Sequence, residues 1–148
     1  MSDEDQRTEE MFEEIRDLLE DDEQLVSTEP REALELWMQQ LDRADATLQS
    51  YRYRLQSFLD FLDQREVDDL TQLTKRDIKE FEAKRRDDGL QRQTLNTQFG
   101  TLRQWLRYCY ELDAVSEDVV AALEVPNLTK EERVNTEKLV SERAEYIL

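Results

Sequence analysis

Pro30 and Pro126 are the only prolines of the chain, and between them stand its only two glycines, Gly89 and Gly100. A backbone with so few breakers, rich instead in Glu, Gln, Leu and Arg, favours helix strongly. The apolar residues agree, because they recur at helical spacing. Met11, Phe12, Ile15, Leu18 and Leu19 form one stripe of a short helix that ends at the acidic run 20–23. A second helix starts near Thr28 with Pro30 in its first turn and buries Ala33, Leu34, Trp37 and Leu41. A third starts at Asp45 or Thr47 and runs to about Gln64, with Leu48, Tyr51, Leu55, Phe58, Leu59 and Leu62 on one face. Leu70 and Leu73 stand in an otherwise polar loop and are expected to tuck under the bundle. Thr74 and Asp77 have the spacing of a capping box, and the helix they open turns Ile78 and Phe81 inward and stops at Gly89. The next helix covers the stretch after Gly89, and a short one capped by Ser116 ends before Pro126. Residues 127–148 read as a linker entering another helix. The pattern predicts an all-α fold with no strand and no internal repeat.

A chain of 148 residues with 38% apolar content suits one domain with a modest core. Its net charge of −17 exceeds what solubility requires. Disorder, a basic partner, and adaptation to concentrated salt each explain such an excess, and disorder fits only the N-terminus. The preponderance of Arg over Lys, 15 to 5, and the spread of acids resemble proteins of extreme halophiles. The acids are unevenly placed: residues 1–45 hold 17 against 4 bases, whereas residues 46–126 hold 15 against 12. Cys109 is the only cysteine, so no internal disulfide forms. No run reaches membrane-spanning length, and the acidic N-terminus is the opposite of a signal peptide, so a cytoplasmic protein without membrane contact is expected.

Residues 89–110, GLQRQTLNTQFGTLRQWLRYCY, contain no carboxylate, although Asp88 and Glu111 flank them. On a helical wheel Leu95, Phe99, Leu102, Leu106 and Cys109 lie within about 40° of a common direction and form the core face. The opposite side carries Gln93, Asn96, Thr97, Gly100, Arg103, Gln104 and Arg107, with Thr101 on its shoulder. Cations mixed with neutral amides and hydroxyls donate to phosphate oxygens and read base edges, with no carboxylate to repel them. A polar face without special purpose, or one docked on the acidic N-terminal third, fits the same pattern. Gly100 costs a helix interior about 1 kcal/mol against Ala, which close approach of another backbone, of DNA or of a packed helix, would explain.

The segments TLQSYRYRLQSFLDFL, LTKRDIKEF and GLQRQTLNTQFGTLRQWLRYCYEL, followed by a short helix closing on Pro, resemble the core-binding domain of tyrosine recombinases, the phage-integrase and Xer/Cre-like enzymes. The acidic integrase-like proteins of haloarchaea are the most similar in flavour. The resemblance rests on Thr47, Tyr51, Leu55, Phe58, Leu73, Thr74, Asp77, Ile78, Phe81, Gly89, Thr94, Leu95, Leu102 and Pro126, and spans roughly residues 30–130. Glu117 and Asp118 depart from it, standing where the family often has Asn-Pro. It implies a small orthogonal, SAM-like bundle of four to five helices with an N-terminal helical extension. It also implies a DNA-binding arm that clamps one side of duplex DNA at a recombination site. Carried over by position, the contacts are Thr47, Ser50 and Arg54 on one helix, and Gln93, Thr97, Thr101 and Gln104 on another, with Arg92 at that helix's start for phosphate. Arg103 and Arg107 adjoin them. The division implied is 1–28 as an acidic extension, 29–126 as the DNA-binding domain, and 127–148, with SERAEYIL, as the run-in to a catalytic domain.

The family's strand exchange needs a nucleophilic Tyr, paired Arg at the scissile phosphate, and His or Lys for proton transfer. The chain has no His, and Tyr51, Tyr53, Tyr108, Tyr110 and Tyr146 read as core or surface aromatics, so no catalytic residue and no cofactor are expected. Asp21, Asp22 and Glu23 read as a solvated face and not as a metal site. Two other readings stay open: a helical protein-interaction or homo-oligomerisation module using the stripe of Met11, Phe12, Ile15 and Leu19, and an acidic mimic of DNA.

Overall fold

The computed structural model describes residues 3–22 and 24–129, with side chains for 3–15 and 24–129. The expected linker and helix beyond residue 129 lie outside the described residues. Six α-helices are described, in order: α1 Asp3–Asp22, α2 Pro30–Gln40, α3 Asp45–Gln64, α4 Lys75–Asp87, α5 Arg92–Glu111 and α6 Glu117–Ala122. A 3₁₀ turn, Leu70–Gln72, stands between α3 and α4, and no strand occurs among the described residues. The all-α expectation holds, and α1 is longer than its apolar stripe suggested.

Local chemistry explains where the helices start and stop. Pro30 is the first residue of α2, where its missing N–H is one of the donors a helix leaves unpaired anyway. Thr74 and Asp77 form the expected capping box, the Thr74 hydroxyl accepting from the Asp77 N–H and the Asp77 carboxylate accepting from the Thr74 N–H. Ser116 holds the N-cap position of α6, but its side chain makes no capping bond, which corrects the expected role. Gly89 takes φ +72° just past α4. Glu66 and Asp113 take the same left-handed turn after α3 and α5, at φ 57° and 59°. That conformation costs a residue with a Cβ roughly 1–2 kcal/mol.

Phe58 lies at the centre of the core. It meets Phe81 edge-on at 5.0 Å and Trp105 edge-on at 6.1 Å, and Phe61 at 6.2 Å. Phe81 continues to Phe99 at 5.9 Å, so α3, α4 and α5 share one aromatic cluster. On α2, Ala33, Leu34, Trp37 and Met38 are buried, and Trp37 stacks on Tyr51 of α3 at 5.6 Å. Leu70 and Leu73 are buried as their isolation in a polar loop foretold.

Asp69 ties the chain before α2 to the 3₁₀ turn. Its carboxylate accepts from the Ser27 hydroxyl at 2.6 Å, the Thr28 N–H at 3.1 Å, and both the N–H and hydroxyl of Thr71. The Ser27 hydroxyl, then the Thr71 and Thr28 amides, hold the carboxyl well below the usual carboxylate range. Met11, Phe12 and Ile15 of α1, by contrast, are 60%, 62% and 46% exposed.

After α6 the chain is gripped by three side chains. Glu82, a buried carboxylate on α4, accepts from the Glu124 N–H at 2.7 Å. Asn96 donates to the Pro126 carbonyl at 2.7 Å, and Arg103 to the Leu123 carbonyl at 2.8 Å. These backbone groups lie at or beyond the end of α6, where no helical partner is left for them.

Two outcomes are expected from this packing. Phe58→Ala removes the centre of the aromatic cluster and should cost about 3–5 kcal/mol in urea unfolding. Asp69 has a folded-state pKa below its unfolded value, so its contribution is complete above about pH 4–5 and is lost as pH falls toward the folded value. Asp69→Asn should therefore lower the melting temperature at neutral pH and flatten the decline of stability below about pH 4, as followed by circular dichroism.

Candidate nucleic-acid interface

The contact of α3 with α5 brings the two sets of candidate residues together. Arg54 of α3 donates to the Thr101 hydroxyl of α5 at 3.3 Å, and its guanidinium lies 5.6 Å from the centre of the Tyr51 ring. Thr47, Ser50 and Arg54 lie on one side of α3, all half-buried, and the Ser50 hydroxyl donates back to the Ala46 carbonyl at 3.1 Å. On α5, Arg92 is exposed at the first residue of the helix, Gln93 and Thr97 are half-buried, and Gln104 is exposed.

Thr101 departs from the expected outward position. It is 3% exposed, and its hydroxyl donates to the Thr97 carbonyl at 3.1 Å while accepting from Arg54. The buried side of α5 is wider than its apolar stripe, because Trp105, one turn on from Thr101, also faces α3. Thr101 therefore serves as the partner of Arg54 and offers no outward surface of its own. The Thr97 hydroxyl likewise donates to the Gln93 carbonyl at 3.0 Å, which leaves its oxygen able to accept.

The polar side of α5 divides in two. Asn96 and Arg103 turn toward the segment after α6 and bond its carbonyls. Gln93, Thr97, Gly100 and Gln104 make up the other strip, bordering the α3 residues. A wheel gives the angle of Asn96 but not the presence of a chain segment beside it. The unpaired carbonyls expected just past a short helix were the available signal. Gly100 is not packed against another helix: a Cβ built there meets nothing within 4 Å. Of the two explanations for this glycine, close packing within the protein is excluded among the described residues.

Charge distinguishes this side from the rest. Elsewhere several arginines sit against acids: Arg31 on Asp63 at 2.7 Å, Arg52 on Glu35, Arg65 on Glu80, Arg76 on Glu80 and Arg85 on Asp88. Arg92 and Arg107 have no carboxylate partner among the described residues. Arg107 also lines an open groove of about 560 Å³ between α5 and α6 with Arg103, Tyr110 and Val120, but Glu111 and Glu117 line it too. Those two carboxylates make the groove a poor seat for an anion. Among the described residues no group of three or more carboxylate or thiol side chains could hold a metal ion, and no helix is long and apolar enough to cross a membrane.

Comparison with known proteins bears on this arrangement. The family model for the phage integrase N-terminal SAM-like domain matches residues 34–111, which includes α3, α4, α5 and most of α2. A solved structure described as the N-terminal domain of a phage integrase/site-specific recombinase from Haloarcula marismortui is 36% identical. That similarity covers 68% of this chain and 99% of the other, with a TM-score of 0.63. No curated protein matches the chain. The chain belongs to the phage-integrase family and carries that family's N-terminal SAM-like domain.

Proposed function

We propose that this domain is the DNA-binding arm of a site-specific tyrosine recombinase, and that it holds one side of duplex DNA at the recombination site. The observation that carries the proposal is the α3–α5 side itself. It presents Arg92, Gln93 and Gln104 on a stretch with no carboxylate between residues 89 and 110, with Arg54 of α3 bonded to Thr101 beside them, on a protein where Arg31, Arg52 and Arg65 sit against acids. Arg92 reaches phosphate as a charge, and the amides of Gln93 and Gln104 reach phosphate or base edges. Thr47 and Ser50 lie beside them on α3, and Thr97 offers an acceptor. Thr101 acts by holding Arg54 in place. The DNA-binding unit is residues 29–126, with 1–28 as the acidic extension and 127–148 leading to a catalytic domain.

The chemistry of strand exchange is not assigned to these residues. The chain contains no His, and the Arg54 guanidinium lies over the Tyr51 ring, 5.6 Å from its centre. The acidic remainder suits concentrated salt, where the Debye length shrinks to about 3 Å at 1 M and distant carboxylates no longer repel DNA. Contact hydrogen bonds then decide binding, because counterion release contributes little.

Fluorescence anisotropy of a labelled duplex across a salt series tests the reading. Arg54→Ala, Arg92→Ala and Gln104→Ala should each weaken binding by roughly tenfold to 150-fold, the range of one hydrogen bond to a charged group. Arg92→Ala should also reduce the slope of log K against log salt by about 1. An unchanged affinity in the triple variant, or no binding at the lowest salt that keeps the fold, would sink it, and the latter would favour a DNA mimic.

The exposed Met11, Phe12 and Ile15 favour a second role for α1, in homo-oligomerisation on DNA. Light scattering should give a multiple of the monomer mass for the full chain and the monomer mass for one starting at Gln24. Monomers in both cases, with and without DNA, remove α1 from that role.

A further inference from the structure

We infer that Gly100 marks the point where one sugar–phosphate strand of duplex DNA crosses α5 in contact with the helix backbone. The inference deepens the DNA-binding reading and rests on it. Gly100 lies in the middle of α5, where glycine is unfavourable, yet among the described residues nothing besides its own stretch of helix comes within 4 Å of the Cβ it lacks. Nothing internal needs the missing side chain.

The residues one turn to either side are drawn away from it. Asn96 is held at the Pro126 carbonyl and Arg103 at the Leu123 carbonyl. The Thr97 hydroxyl folds back onto the Gln93 carbonyl. Only Gln104 stands at the rim with no side-chain partner among the described residues, and it is exposed. The result is a saddle on the helix, bare at Gly100, with an amide donor one turn away. No carboxylate lies within the stretch, so the saddle suits an anionic backbone better than an acidic protein surface.

The separation along the helix fits such a crossing. Gln93 and Gln104 are eleven residues apart, about 16 Å along the axis at about 1.5 Å per residue, so donors flank the crossing on both sides. A phosphate strand passing over a side chain of any size would be lifted off both. Gly100 thereby acts as a positioning residue: it sets how near the strand comes, and Gln93 and Gln104 then engage it.

Gly100→Ala and Gly100→Leu in the 148-residue chain, with Gln104→Ala as reference, test this by duplex-DNA anisotropy, thermal melting and light scattering. Both Gly100 variants should melt higher than the wild type, since alanine and leucine are better helix formers. Affinity should nevertheless fall by about threefold for alanine and more than about tenfold for leucine, as steric lift costs more with size. Wild-type affinity in both variants, while Gln104→Ala is weakened, overturns the inference and leaves the DNA-binding reading standing. Absence of DNA binding by the wild type overturns both. A change of oligomeric mass in Gly100→Leu with DNA affinity intact would show that the saddle seats a second copy of the chain, and so also overturns it.

Discussion

The meeting of Phe58 with Trp105, edge to face at 6.1 Å, is the contact on which the rest of the domain depends. One helical turn earlier on each helix, Arg54 meets Thr101. The two contacts advance together along α3 and α5, so the packing that makes the core also sets the polar residues of both helices side by side. An aromatic pair of this kind adds about 0.5–1.5 kcal/mol beyond the area it buries. Its larger consequence is registration, since a slide of α5 by one turn would separate Arg54 from Thr101 and break the strip into two unrelated polar faces.

Much of this was legible in sequence and some was not, for identifiable reasons. Helix limits were readable because breakers are so rare that Pro30 and Gly89 each stand at a boundary, the one opening α2 and the other closing α4. The Thr74–Asp77 box was readable because both partners lie within one turn. Thr101, Asn96 and Arg103 were misplaced because a wheel fixes only an angle about one helix axis. Whether that angle faces water, α3 or the segment after α6 depends on neighbours remote in the chain. Phe61 and Trp105 widened their faces past the apolar stripe for the same reason. Asp69, bonding both Thr28 and Thr71, joins parts of the chain 41 and 2 residues away, and only the nearer partner was open to local reading.

A net charge of −17 looks hostile to an anionic polymer until its placement is considered. Residues 1–45 carry 17 acids against 4 bases, and some of the remainder, Asp77, Glu80 and Glu82 among them, sit against cations. Coulomb repulsion from a carboxylate about 20 Å distant is small in water and is screened further by salt. What a phosphate meets at contact is the local composition, and along α5 that composition is arginine, glutamine, threonine and glycine. An acidic protein can therefore hold a surface fit for DNA, provided acids are kept from that surface and not merely outnumbered.

The grip on the segment after α6 connects this surface to the exit of the chain from the bundle. Of the three side chains that hold Leu123–Pro126, Asn96 and Arg103 stand on α5 and Glu82 on α4. Arg103 commits its guanidinium to a backbone carbonyl, which removes a cation from the outward strip and fixes the exit instead. The direction in which the chain leaves the bundle is thus referred to the same helix that carries Gln93, Gly100 and Gln104. A displacement of α5 against α3 would shift the grip on Leu123 and Pro126, so the α3–α5 contact governs both the polar strip and the placement of residues 123–126.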